Sequence, residues 1–253
     1  LSILLLLTIG LKGGVELAQQ SLGAILPQMG LVLVMGIALP LLAFPILLYI
    51  ARVPRVDAAS IAAHYGSVSV ATYAVGVAFL NTAGISFEAH MPLFLVLLEM
   101  PAIMVGIMLA RGISRDTRWG ELLHEVFLGK SIVLLLGGLF IGWIAGPANL
   151  APLEPLFFDL FKGVLALFLL EMGLIAASQA RSLKSNGFAV VVFALAIPTP
   201  FATIGAVLGW WMGLSLGGTV LLAVLAGSCS YIAAPAAMRI ALPSANPALS
   251  LTA

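Results

Sequence analysis

The sequence predicts an all-α polytopic membrane protein whose two halves are inverted repeats, each holding one broken helix. Three observations lead there. The chain of 253 residues is 62% hydrophobic and 8% charged, and its apolar runs approach the ~20 residues that span a bilayer. Gly66-Ser67-Val68-Ser69 and Gly227-Ser228-Cys229-Ser230 set small polar side chains inside such runs. Backbone that stops being helical in lipid must find partners in protein, water or ligand, so breaks at this depth line cavities. The basic residues, finally, fall almost entirely on one side of the predicted spans.

In chain order, Ile3 to Leu11 reads as the end of a first span, closed by Lys12-Gly13-Gly14. A polar stretch to Gln28 leads into a second span, Met29 to Ala51, in which Pro40 and Pro45 are tolerated because neighbouring helices re-satisfy the freed carbonyls. The third span, Asp57 to Leu80, holds the first break. Met91 to Ala110 is the fourth, interrupted at Glu99-Met100-Pro101. Beyond it lies a basic loop that divides the chain into a first repeat (1–111), a cytoplasmic connecting loop (112–130) and a second repeat (131–253). Ser131 to Ala145, Leu156 to Ser178, Gly187 to Met212 and Leu216 to Ala237 complete eight spans. The glycine series at 138, 142, 146 and at 205, 209, 213 read as close helix contacts, and Trp210 and Trp211 as an interfacial belt. Leu1 opens inside an apolar run and Asn246 to Ala253 begins another segment, so the chain is expected to be truncated at both ends, with no signal peptide to assign.

If connections alternate sides, nine basic residues (Arg52, Arg55, Arg111, Arg115, Arg118, Lys130, Arg181, Lys184 and Arg239) share one side and two, Lys12 and Lys162, the other. The first side is therefore cytoplasmic. Three matches in one order relate the halves: Gly10 to Gly173, Pro40 to Pro198 and Gly66 to Gly227, at offsets of 163, 158 and 161 residues. The side assignment gives the matched spans opposite orientations. Inverted repeats with interrupted helices are a pattern of secondary transporters, whose sites lie near the midplane.

Ser67, Ser69, Thr72, Ser228, Cys229 and Ser230 are the candidate site residues where the two breaks meet. Hydroxyls and free N–H groups at a half-helix N-terminus suit a small anion, and freed carbonyls suit sodium. The alternative is that these serines bond only their own or a neighbouring backbone. Glu99, in the middle of a span, is a candidate cation ligand, the alternative being a protonated acid donating to a carbonyl. An intramembrane serine hydrolase would pair Ser69 with His64, but five residues along one helix put them on different faces. Neither serine cluster contains Gly-x-Ser-x-Gly, and no HExxH is present. Eleven basic residues nearly cancel ten acidic ones and no basic block interleaves with aromatics, so nucleic acid is no partner; a single cysteine excludes a disulfide framework.

Several motifs together resemble a known family, the sodium-dependent bicarbonate transporters exemplified in cyanobacteria. They are Gly10-Leu11 with Gly13-Gly14, Asp57-Ala58 leading to Gly66-x-x-Ser69-x-x-Thr72, Glu88-Ala89, Glu99-Met100-Pro101-Ala102, Met172-Gly173, Ser215-Leu216-Gly217-Gly218, Ser228-x-Ser230, Arg239 and Leu242-Pro243-Ser244-Ala245-Asn246-Pro247. The resemblance implies an inverted repeat of five transmembrane helices each, with two crossed broken helices. It also implies a homotrimer in the plasma (inner) membrane that carries bicarbonate inward with sodium by an elevator-like movement. Ser69, Thr72, Ser228 and Ser230 would hold the anion, with Glu99, Ser67 and Cys229 at the sodium site. A small PII-like regulatory protein would be a cytoplasmic partner. Val70 and Ala71 stand where the family pattern has a glycine and a serine, Tyr231 where it has an aspartate, and Glu99 where it has an aspartate. These departures bear on cation stoichiometry and on the anion itself; another small carboxylate or a proton-coupled anion is the alternative.

Overall fold

A computed structural model describes residues 2–18, 22–111, 128, 130–183, 188–231, 233–246 and 249. The described residues are helical, without strands: α1 (Ser2–Leu17), α2 (Leu22–Pro45) running into a π turn (Ile46–Ile50), α3 (Arg55–Gly66), α4 (Val70–Thr82), α5 (Met91–Arg111), α6 (Lys130–Leu150), α7 (Phe161–Leu183), α8 (Phe188–Ala196), α9 (Pro198–Trp211), α10 (Leu216–Gly227) and α11 (Ala233–Ala241). Among the described residues, five segments are long and apolar enough to cross a membrane: Ile25–Ile50, Arg55–Thr82, Met91–Arg111, Leu136–Leu153 and Phe188–Trp211. Ile3–Val15 and Leu216–Gly227 are shorter apolar helices. The connecting loop 112–130 lies outside the described residues except for Leu128 and Lys130.

Helix ends differ from the sequence expectation where a residue that usually stops a helix serves as a contact. Lys12-Gly13-Gly14 does not close α1, which continues to Leu17. The two glycines are contact positions: a Cβ on Gly13 would sit 2.7 Å from Pro92, and one on Gly14 would strike the Leu139 carbonyl. Glu99-Met100-Pro101 does not interrupt α5 either. Proline removes only its own amide donor, and a buried helix carries that single loss when neighbours surround it. Ile197 joins α8 to α9 with helical dihedrals, so Pro198 starts α9 inside the expected span Gly187 to Met212.

Glycines set the packing. In a membrane, association relies on close approach rather than on burial from water, and small residues permit it. A Cβ on Gly138 would lie 2.7 Å from the Leu7 carbonyl and one on Gly142 would strike that of Leu11, which seats α6 directly on α1. In the same way α9 sits on α10, where a Cβ on Gly205 would lie 2.6 Å from the Leu222 carbonyl and one on Gly209 would meet Thr219. The third member of each series behaves otherwise. Gly146 and Gly213 have φ of 66° and 73° with open space around them, so they turn the chain and are not helix contacts.

Helix α3 is buried from Ala58 to Gly66 between α2, α5 and α11. Ala63 faces Gly106 and Gly66 faces Ala102, so α3 and α5 run antiparallel. Gly76 of α4 lies against Leu221 of α10, while Ala234, Met238 and Ala241 of α11 join Ile103 and Ile107 of α5 in one cluster.

Polar clasps tie the helix ends. At one end the Glu88 carboxylate accepts from the Ser215 amide (2.5 Å) and hydroxyl (3.1 Å), and the same hydroxyl caps α10 by accepting from Gly218 N at 3.1 Å. The acid thus sits at the positive end of α10. Burial lowers the pKa of His90 below the ordinary histidine value, more than the charge of Glu88 raises it. At the other end Asp57 accepts from Asn246 N (2.7 Å), Arg55 donates to the Leu109 carbonyl (2.9 Å) and Arg111 to that of Ala241. Every clasp joins ends that the charge bias puts on one side. Replacing Glu88 by Gln weakens two charge-assisted bonds at a partly exposed site. It is expected to cost about 1 kcal/mol, read as an apparent Tm lower by roughly 2–4 °C in detergent.

Candidate functional site

The two helix interruptions meet in the buried centre. After Gly66 the backbone becomes extended at Ser67 (φ −86°, ψ 160°) and Ser69 (φ −97°, ψ 114°), and α4 restarts at Val70. Ser67 N closes α3 on the Ala63 carbonyl at 3.0 Å. Ser69 is the N-cap of α4: its hydroxyl accepts from Thr72 N at 3.1 Å and from the Thr72 hydroxyl at 2.8 Å. The second break repeats this chemistry. Ser228 is extended (φ −93°, ψ 167°), its N–H closes α10 on Leu225 at 3.2 Å, and the Ser230 hydroxyl accepts from Ala234 N at 3.2 Å, capping α11.

Each break supplies the backbone partner that the other needs. Ser69 N donates to the Ser228 hydroxyl at 3.1 Å, and that hydroxyl donates to the Leu225 carbonyl at 2.9 Å. In return Ser230 N donates to the His64 carbonyl at 2.8 Å. Such reciprocity is what buried, non-helical backbone requires. It also brings the positive ends of two half-helices, α4 and α11, to one buried place.

Among the residues singled out from sequence, Ser69, Thr72 and Ser228 form one bonded chain, while Ser230 bonds the His64 carbonyl through its amide and Ala234 N through its hydroxyl. Ser67 and Glu99 are 0% and 2% exposed, yet Ser67 Oγ and Glu99 Oε2 make no hydrogen bond. The antiparallel register places the turn of α5 that holds Glu99 level with the break, one turn beyond the Gly66–Ala102 contact. Cys229 is half-buried against the core. His64 presents Nδ1 to the Ser60 carbonyl at 2.7 Å, so that nitrogen carries the proton and Nε2 is left as an unbonded acceptor. His64 and Ser69 are not bonded to each other, as a hydrolytic pair would be; Ser69 Oγ is engaged by Thr72 instead. Sequence reasoning missed the carbonyl of His64 as the partner of the second break. A backbone acceptor leaves no side-chain signature.

Comparison with curated proteins returned no match. The whole chain, residues 1–253, matches the family described as the Na+-dependent bicarbonate transporter superfamily.

Proposed function

The chain belongs to the Na+-dependent bicarbonate transporter superfamily, and from that premise we propose that it couples sodium entry to bicarbonate uptake by alternating access at the meeting point of the two helix breaks. One observation carries this reading: two serine-capped half-helix N-termini converge where Ser69 N bonds the Ser228 hydroxyl, with the buried Glu99 carboxylate on the adjoining turn.

Ser69, Thr72, Ser228 and Ser230 hold the anion. Their hydroxyls and amides already make hydrogen bonds within the protein, so binding exchanges bonds rather than exposing unpaired groups. Bicarbonate has oxygen acceptors and an O–H donor, which matches hydroxyls that both give and accept. Glu99 and Ser67 supply oxygen to sodium, a hard cation. Cys229 contributes its backbone carbonyl, since a thiol is a poor ligand for such an ion.

The repeat reading, 1–111 against 131–253 across a cytoplasmic loop, gains support from contacts inside each half. A Cβ on Gly66 would meet Pro40 Cδ at 2.5 Å, and one on Gly227 would meet the Pro198 carbonyl at 2.9 Å. The glycines and prolines matched between the halves thus pair within each half. The crossing of the broken helices and their movement as one elevator body against α1 and α6 extend the same reading. So do the plasma (inner) membrane location, the homotrimer and the PII-like partner that the family resemblance implies.

The test is uptake of labelled bicarbonate by vesicles holding the wild type or a Ser69→Ala, Ser228→Ala double variant. The variant is expected to lose at least about tenfold in rate, as removal of two hydrogen bonds of about 1 kcal/mol each implies, while remaining monodisperse. Unchanged uptake would remove these serines from the site. Wild-type uptake that ignores sodium, or that bicarbonate fails to compete, would turn the assignment to a proton-coupled anion or another carboxylate.

A further inference from the structure

Lys12 and Lys162 are the two basic residues that charge alternation places on the outer side, and both line one cavity of about 190 Å³. Its walls are α1 and the start of α7 on one side, α4 and the segment leading into α5 on the other. Tyr73, Val77 and Asn81, spaced at i, i+4 and i+8, give the α4 wall. The innermost of them, Tyr73, follows Thr72 directly, so the cavity reaches from the outer connections to the first turn of the helix that Ser69 caps.

We propose that this cavity is an anion-collecting vestibule, in which Lys12 and Lys162 draw small oxyanions from the outer solution toward the break. The proposal rests on the transport reading for the identity of the anion alone. Low-dielectric walls around like charges concentrate counter-ions, and the two lysines reach the cavity wall from separate helices, α1 and α7. Glu154 lines an adjoining cavity together with Lys12 and does not line this one, so it tempers the potential without occupying the path. A lysine in mid-helix also explains why α1 does not stop at Lys12: its stem follows the apolar wall while its head reaches water.

The experiment reads the potential directly and needs no substrate. In a Cys229→Ser background, Val77→Cys places one thiol on the cavity wall. Its reaction rate with the anionic ethylsulfonate methanethiosulfonate is compared with that of the cationic trimethylammonium analogue, each relative to free cysteine. The vestibule predicts an anion preference of about tenfold that falls to within about twofold of free cysteine in Lys12→Gln, Lys162→Gln, that is retained in the double Arg variant, and that fades in high salt. The same ratio with and without the lysines overturns the proposal and leaves them as anchors to lipid headgroups. In parallel uptake assays the Gln pair raises KM for bicarbonate and leaves kcat unchanged. Wild-type vesicles without uptake would sink the transport reading, while the thiol ratio would still decide the vestibule.

Discussion

Replacing Glu99 by Gln is expected to abolish the response to sodium while leaving the protein folded. The carboxylate is 2% exposed and Oε2 lacks a hydrogen bond. A buried charge held in this way is costly unless a cation meets it. The amide keeps the shape and removes the charge, so thermal stability without sodium stays level or rises. Stabilisation by sodium and sodium-driven uptake disappear. Loss of one charged contact, about 2–3 kcal/mol, corresponds to a sodium affinity on the order of 10² lower. Melting curves over a sodium titration separate this from a structural role, which would lower stability at every concentration. A Gln variant that still responds to sodium with wild-type affinity would take Glu99 out of the cation site.

Gly66→Leu is expected to destroy the fold. A Cβ at this position would stand 2.5 Å from Pro40 Cδ and 2.7 Å from Ala102 Cβ, groups fixed by a proline ring and a helix backbone. No rotamer relieves such contacts, and overpacking costs about 1–3 kcal/mol or more even at softer sites. The break would be pushed off Pro40, taking Ser67 and Ser69 with it. Little monodisperse protein is expected on size exclusion in detergent. Gly30→Ala, with nothing within 4 Å, is the neutral control. For the milder Gly66→Ala, adding Ala102→Gly removes one of the two clashes and should restore part of the yield. Normal yield of Gly66→Leu would contradict the packing described for the break.

Features that depend on small residues in apolar runs were legible in the sequence. Serine pairs after Gly66 and Gly227 announced both breaks, and Gly138, Gly142, Gly205 and Gly209 announced close helix contacts, though not which helices would meet. That Pro40 and Pro198, matched in sequence, lie against Gly66 and Gly227 was visible only in the structure. The errors came where one residue type has two uses. Lys12 read as a helix end because a charge usually leaves the membrane, but α1 runs on to Leu17 with Lys12 lining a cavity. Pro101 read as an interruption, although α5 passes through it. Gly146 and Gly213 continued a spacing of four, yet their positive φ makes them turns. The clasps of Glu88 with Ser215 and of Asp57 with Asn246 connect opposite halves of the chain, and no local pattern encodes which acid meets which helix end. Their motifs could be quoted, but their partners could not.

The most direct measurement is accumulation of labelled bicarbonate in sealed vesicles at alkaline pH, where carbon dioxide is a minor species, under an imposed inward sodium gradient. Bicarbonate should rise above equilibrium only while the gradient lasts, and the same vesicles should take up labelled sodium faster when bicarbonate is present. Equal filling with and without the gradient, by folded and inserted protein, would contradict sodium-coupled transport at the two breaks.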